Sequence, residues 1–196
     1  MSKLIVVLGG AKSGKSSFAE EIVASLGGLD VTYIATSQPR DNEMVERIQH
    51  HQNSRPQEWT TVEEPKEVSQ AMNKLTSGSV VLLDCLTVLI SNLLLQDEEL
   101  GEEDYDFSGQ AREKLIMAEI KNILQQAEEK DLTLVVVSNE VGQGLVPPYK
   151  LGRVYRDIVG RANKLIASKA EEVYITYAGL PVEIKELGMK TRGKFN

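Results

Sequence analysis

Cysteine is nearly absent: Cys85 is the only one in 196 residues. That excludes an internal disulfide and a multi-cysteine zinc cluster and fits a reducing compartment. Cys85 itself reads as a small buried hydrophobe rather than a nucleophile. Long hydrophobic runs are missing too. Leu4 to Leu8 is too short for a signal peptide or a membrane span, glycines interrupt it at once, and no other run reaches membrane length; a cytoplasmic protein with no membrane span is expected. Positive charge is not in excess either. Lys and Arg number 22 against 29 Asp and Glu, a net charge of −7, and the sequence pI is about 5.0. This argues against a sequence-independent grip on nucleic acid, whose affinity comes mostly from neutralising phosphates, while leaving room for a local phosphate site. The imbalance sits in Gln96–Gly109, which has acids and no Lys or Arg and reads as a solvated loop.

Hydrophobic residues make up 41% of the chain, enough to bury a core, so disorder is excluded. There is no internal repeat, no Pro-rich or Ser-rich linker and no low-complexity tract, and residues 1–196 read as a single domain. Apolar runs of strand length alternate with segments of helical period, the pattern of an α/β fold with a mostly parallel sheet and helices on both faces. Strands are predicted at Leu4–Leu8, Val31–Ala35, Val80–Asp84, Leu132–Ser138 and Glu172–Tyr177. Helices are predicted near Lys15–Leu26, Asp41–Gln52, Pro65–Leu75, Leu86–Leu95, Gln110–Lys130 and Leu151–Ala170. Two short alternating runs around Gly179 and Pro181 predict a closing β-hairpin, and Leu187–Asn196 is expected to fray.

The string Gly9-Gly10-Ala11-Lys12-Ser13-Gly14-Lys15-Ser16 fits G-x-x-x-x-G-K-[ST], directly after a strand and directly before a helical run. The glycines let successive backbone N–H groups point at phosphate oxygens, the helix N-terminus adds its positive dipole end, Lys15 reaches the outer phosphates and Ser16 can hold Mg²⁺. Val80–Asp84 supplies a second element: an apolar strand ending in a carboxylate, suited to orienting Mg²⁺ through its water shell. Asp84 as the N-cap of the next helix is the competing reading.

Absences trim the subclasses. No Asn-Lys-x-Asp guanine motif occurs, since Asn73-Lys74-Leu75 and Asn163-Lys164-Leu165 lack the final Asp, and no transporter signature is present. A small-molecule phosphotransferase remains. Its moving phosphoryl group needs cations, for which Arg153, Arg156 and Arg161 are candidates, with solvated helix arginines the alternative. The two histidines are adjacent. On a helix His51 shares a stripe with Met44 and Ile48, while His50 lies with Glu43, Glu46 and Arg47. Diverging rings without a third ligand disfavour a metal site. A neutral imidazole is, however, a competent nucleophile toward a phosphoryl or nucleotidyl group.

Gly9–Ser16, Tyr33–Gln38, Glu43-Met44, Arg47–His51, Arg55-Pro56, Trp59, Asn139–Pro147, Arg156-Asp157, Gly160-Arg161 and Asn163 together resemble the bifunctional adenosylcobinamide kinase and adenosylcobinamide-phosphate guanylyltransferase family of cobalamin biosynthesis, over nearly the whole chain. The resemblance implies phosphorylation of adenosylcobinamide with ATP or GTP, then transfer of GMP from GTP to that phosphate through a guanylylated histidine, releasing pyrophosphate. It further implies that His51 carries GMP and that Lys15 serves catalysis. Gly9, Gly10, Ala11, Lys12, Ser13, Gly14, Lys15, Ser16, Ala35, Thr36, Ser37, Gln52, Asn53, Ser54, Arg55, Glu63 and Asp84 would bind nucleotide, with Mg²⁺ at Ser16 and Asp84. A RecA-like sheet and a homotrimer belong to the same implication, with a corrinoid and a nucleoside triphosphate as the small-molecule substrates. Asp84 stands where some relatives have Glu, which keeps the carboxylate and shortens its reach. Glu140 or Asp157 is a candidate base for the acceptor hydroxyl, and each is equally a candidate loop cap or ion-pair partner. Two rival readings are another phosphate-loop small-molecule or nucleotide kinase, and a RecA-like nucleotide-binding regulatory module acting on a protein partner.

Overall fold

In the computed structural model, residues 2–39, 45–46, 49, 55–96 and 110–194 are described. Strands β1 (Lys3–Gly9), β2 (Val31–Ala35), β3 (Thr60–Glu63), β4 (Val80–Asp84), β5 (Thr133–Asn139), β6 (Glu172–Tyr177) and β7 (Leu180–Glu183) join in a seven-stranded sheet of order β3-β2-β4-β5-β1-β6-β7. All neighbours run parallel except β6 and β7, which form the expected antiparallel hairpin. The strand that feeds the phosphate loop (β1) and the strand that ends in Asp84 (β4) are separated by β5, the RecA-like arrangement.

Alternation along the strands divides the core between two faces. Leu4, Val6, Leu8, Val81, Leu83, Leu134 and Val136 point to one side, where they meet α2 (Val68–Asn73), α3 (Leu86–Leu94), α4 (Gln110–Glu129) and α5 (Lys150–Lys169). Ile5, Val7, Leu82, Val135 and Val137 point to the other and pack on Ala19 and Val23 of α1 (Lys15–Gly27) and on Trp59. The α/β class, the mostly parallel sheet and helices on both faces are thus as expected.

Three elements differ from expectation. β3 went unpredicted because Thr60–Glu63 has Val62 as its only apolar residue and lies exposed at the sheet edge, so the sequence carries no alternation there. Helix α2 begins at Val68 rather than near Pro65, because the Glu64 carboxylate accepts from Lys66 N–H (3.0 Å) and Glu67 N–H (2.9 Å) and holds those residues in a turn. The tail forms helix α6 (Lys185–Arg192) instead of fraying from Leu187. Glu183 accepts from Lys185 N–H at 2.8 Å and Glu186 N–H at 3.0 Å, and a Glu186–Lys190 pair one turn apart measures 2.6 Å. Of the helix expected over Asp41–Gln52, positions 45, 46 and 49 are helical and the rest lie outside the described residues, as does most of the acidic stretch Gln96–Gly109.

Helix α2 is also tied to α4, since Glu119 accepts from Ser69 N–H (2.7 Å) and Ser69 Oγ (2.8 Å) and so satisfies a first-turn donor that no residue of α2 caps. Glu119→Ala removes both bonds and should lower unfolding free energy by about 1–3 kcal/mol, measured by urea denaturation.

Candidate active site

The phosphate loop leaves β1 at Gly9 and enters α1 at Lys15. Gly14 sits at the N-cap with φ +91° and offers no side-chain cap to α1, so the first N–H groups of the helix are available to an anion. The loop is braced from the far end of the chain. Thr176 Oγ1 donates to Leu8 O (3.1 Å) and is bonded to Ser13 Oγ (2.8 Å), while Gly179 N–H donates to Ser13 O (2.9 Å). A Cβ on Gly14 would stand 3.1 Å from Gly179 Cα, and one on Gly9 would stand 2.3 Å from both Ser13 Oγ and Thr176 Oγ1. Close approach therefore requires glycine at both positions, and at Gly14 the backbone angle requires it as well. Lys15 Nζ donates to Gly10 O at 3.2 Å, which keeps the ammonium at the loop. Ala11 and Lys12 are exposed at its crest.

Parallel register brings the other strand ends to the same edge. Ala35 pairs with both Glu63 and Asp84, and Gly9 pairs with Asn139. Thr36 is fully buried: its Oγ1 donates to Cys85 O (2.9 Å) and accepts from Cys85 N–H (2.9 Å), and its carbonyl accepts from Asn92 Nδ2 (2.8 Å). Its side chain thus clamps the ends of β2 and β4 together. Ser37 is half-buried and Glu63 exposed. Cys85 is buried, as expected. Burial, and next the Asp84 charge, push its thiol up to about 11, so it stays protonated and inert at neutral pH.

Behind the loop lies a cluster of buried charges. Arg55 is 6% exposed and stacks its guanidinium 3.3 Å above the centre of the Tyr33 ring. The Tyr33 hydroxyl donates to Asp84 Oδ2 at 2.9 Å, and burial followed by the Asp84 charge raises its pKa beyond the ordinary tyrosine range. Arg55 Nε lies 4.0 Å from Glu20 Oε1 on α1, and those two atoms together with Arg55 Nη1 are buried without a hydrogen-bond partner among the described residues. Burial raises the Glu20 carboxyl to about 6, against the lowering influence of Arg55 and with a further rise from Asp84. Glu20, Tyr33, Arg55 and Asp84 thus connect the phosphate-loop helix, β2 and the end of β4.

Among the other candidates, Arg161 is engaged by both oxygens of Glu113 (2.5 and 3.0 Å) and Arg153 donates to Pro147 O and Pro148 O (3.1 and 2.7 Å). Arg156 pairs with Asp157 at 3.6 Å, and Glu140 Oε1 caps Gly142 N–H at 2.7 Å. His50, His51, Gln52, Asn53 and Ser54 lie outside the described residues. Sequence reasoning missed Glu20, Thr176 and Gly179. Their partners lie far away along the chain, 163 positions in the case of Thr176 and Ser13, so no local spacing announces them.

Ser16 and Asp84 both offer hard oxygen donors, and among the described residues no group of three or more His, Cys, Asp or Glu is placed to hold a metal. This donor set fits a cation that keeps its waters and takes phosphate oxygens, which is the behaviour of Mg²⁺, and does not fit zinc.

Residues 5–184 match the model of a family described as cobinamide kinase / cobinamide phosphate guanyltransferase. The bifunctional adenosylcobalamin biosynthesis protein CobU of Escherichia coli K12 is 41% identical over 186 residues, covering 93% of this chain and 99% of that protein. Its Salmonella typhimurium LT2 counterpart is 39% identical over 93% of this chain and 99% of that protein. The bifunctional protein CobP of Pseudomonas aeruginosa is 38% identical, covering 92% of this chain and 96% of that protein. Among solved structures, the flagellar accessory protein FlaH of Methanocaldococcus jannaschii superposes with a TM-score of 0.46 at 13% identity, covering 91% of this chain and 74% of that one.

A native Glu20 that holds its proton to about pH 6 binds more protons between pH 4.5 and 6 than the unfolded chain does. Stability conferred below pH 4.5 is therefore lost as pH rises toward 6. Glu20→Gln removes that loss, so in urea unfolding the variant should gain on the parent between pH 4.5 and pH 6; a pH-independent difference would contradict it.

Proposed function

The chain belongs to the cobinamide kinase / cobinamide phosphate guanyltransferase family, and on that footing we propose that it catalyses both reactions. It phosphorylates the hydroxyl of adenosylcobinamide with ATP or GTP, then transfers GMP from GTP to the resulting phosphate through a guanylylated histidine, giving adenosylcobinamide-GDP and pyrophosphate. The observation that carries the reading is the braced phosphate loop, with its uncapped α1 terminus, in a chain that matches the family over residues 5–184.

One loop serves both steps because both act on a nucleoside triphosphate and differ in the phosphorus attacked. In the kinase step the N–H groups of Gly9–Ser16 seat the phosphates, and Lys15 exchanges Gly10 O for the oxygens of the transferring group. In the guanylyl step His51 attacks the α-phosphorus in line with departing pyrophosphate, whose charge Lys15 now neutralises. Breaking the phosphohistidine bond against the corrinoid phosphate restores the free imidazole. Ser16 and Asp84 would hold Mg²⁺, which supplies charge neutralisation on the phosphates. Ala35, Thr36, Ser37, Gln52, Asn53, Ser54, Arg55 and Glu63 complete the nucleotide site in this proposal. Support for Arg55 comes from its buried guanidinium beside Tyr33 and Asp84. The enzyme is, on the same proposal, a single-domain cytoplasmic homotrimer. Among the described residues no helix is long and apolar enough to cross a membrane.

Intact-protein mass after incubation with Mg²⁺ and GTP should show a GMP-sized increment that ATP does not give and that His51→Ala loses. His51→Ala should keep measurable cobinamide phosphorylation, whereas Lys15→Ala should lower both activities by about a hundredfold or more. Equal loss of both activities in a folded His51→Ala protein would refute a covalent role confined to the second step.

A further inference from the structure

Residues 140–149, which leave the end of β5, form a loop fastened at both ends. Glu140 N–H donates to Gly9 O (3.0 Å), Glu140 Oε1 accepts from Gly142 N–H (2.7 Å), and the Tyr177 hydroxyl donates to Gln143 Oε1 (2.9 Å). Arg153 Nη1 donates to Pro147 O and Pro148 O, closing the far end. The loop nevertheless holds apolar side chains out in water: Leu145 is 96% exposed, Val146 64% and Tyr149 66%. Leu145 and Val146 lie between those two anchored ends. Apolar groups clustered and exposed in this way mark a surface that something covers.

The position of the loop identifies the occupant. Gly9 pairs with Asn139, Asp84 pairs with Val137, and β5 lies between β1 and β4. The loop therefore leaves the sheet between the phosphate cradle and the strand that ends in Asp84. In-line transfer requires the acceptor to approach from beyond the terminal phosphate, and that phosphate is the one Lys15 and Asp84 would serve. A corrin ring presents a wide edge carrying methyl groups and amide arms, so it offers apolar contact and hydrogen-bonding groups together. A second copy of the chain is the competing occupant, because a homotrimer must bury roughly 20–30 residues a side somewhere on its surface, and sedimentation separates the two.

Resting on the proposed function, we infer that Leu145, Val146 and Tyr149 form the docking rim for the corrinoid acceptor. They fix the macrocycle while its hydroxyl arm reaches the phosphates.

The test is the double variant Leu145→Ser/Val146→Ser, with Leu187→Ser on exposed α6 as the control substitution. Kinase rates are measured over a range of cobinamide and of ATP, enzyme–GMP formation from GTP alone is followed by intact mass, and oligomeric state by sedimentation velocity. The double variant should raise the acceptor KM about tenfold or more. The KM for ATP, the rate of enzyme–GMP formation and the sedimentation coefficient should match those of the parent. An unchanged acceptor KM overturns the rim and leaves the proposed function standing. An altered sedimentation coefficient overturns it in favour of a subunit interface, and parallel loss of enzyme–GMP formation does so in favour of a role in the nucleotide cradle. If the unaltered chain does not phosphorylate cobinamide, the rim and the proposed function fall together.

Discussion

A loop whose backbone N–H groups converge on one point has little within itself to hold it open, and the site depends on what holds it from outside. Here the support is the close approach of two glycine backbones: Gly14 at the start of α1 and Gly179 at the tip of the β6–β7 hairpin. They are near enough that a methyl group on Gly14 would reach Gly179 Cα at 3.1 Å. The Gly179 N–H to Ser13 O bond and the Ser13–Thr176 hydroxyl pair fasten the same contact. The first loop of the chain is therefore shaped by its last two strands. This gives the antiparallel edge a purpose beyond closing the sheet, since a wider or displaced hairpin would leave the cradle without a wall.

On the other side of the cradle the constraint is electrostatic. Glu20, Arg55 and Asp84 lie close together with Tyr33 among them, and burying charges costs free energy unless partners compensate. The compensation is incomplete: among the described residues Arg55 Nε and Nη1 and Glu20 Oε1 have no hydrogen-bond partner, while stacking on Tyr33 and the 4.0 Å approach of Glu20 supply the attraction. A cluster left in this state stores unpaired donors beside the strand ends. Such donors suit a site that receives a polyanion, because ligand oxygens can take bonds that the protein does not make for itself.

The parts of this architecture that were legible in the sequence are those governed by short-range pattern. The parallel strands show as apolar runs because both faces of the sheet are covered, and the phosphate loop shows because its glycines and Lys15 sit in fixed spacing between a strand and a helix. β3 was not legible, being an edge strand with one apolar side chain, and neither was the late start of α2, which a turn held by Glu64 delays. At the site, Asp84 and Arg55 were named, yet the residues that orient them, Tyr33 and Glu20, come from separate elements that only the fold assembles. Arg153, Arg156 and Arg161 show the same limit from the other side. Helical arginines near a motif are the right chemistry for a moving phosphoryl group, but Glu113, Asp157 and two proline carbonyls engage them, and spacing along the chain reveals none of those partners.

Catalysing two transfers at one cradle requires that the cradle stay fixed while the attacking group changes, because the phosphates must be presented alike in both steps. The fastenings meet that requirement unequally around the site. Gly9–Ser16 is tied to the hairpin and, through Gly9 O, to Glu140, so the phosphate seat and the loop beside it form one braced unit. A braced seat cannot travel to its substrates, and specificity for a large acceptor must then come from shape presented at the rim. Exposed Leu145 and Val146, on a loop pinned at both ends, suit such a division of labour: the pinning removes part of the loop's conformational entropy before binding, so that less of the apolar contact made on binding is offset by ordering it.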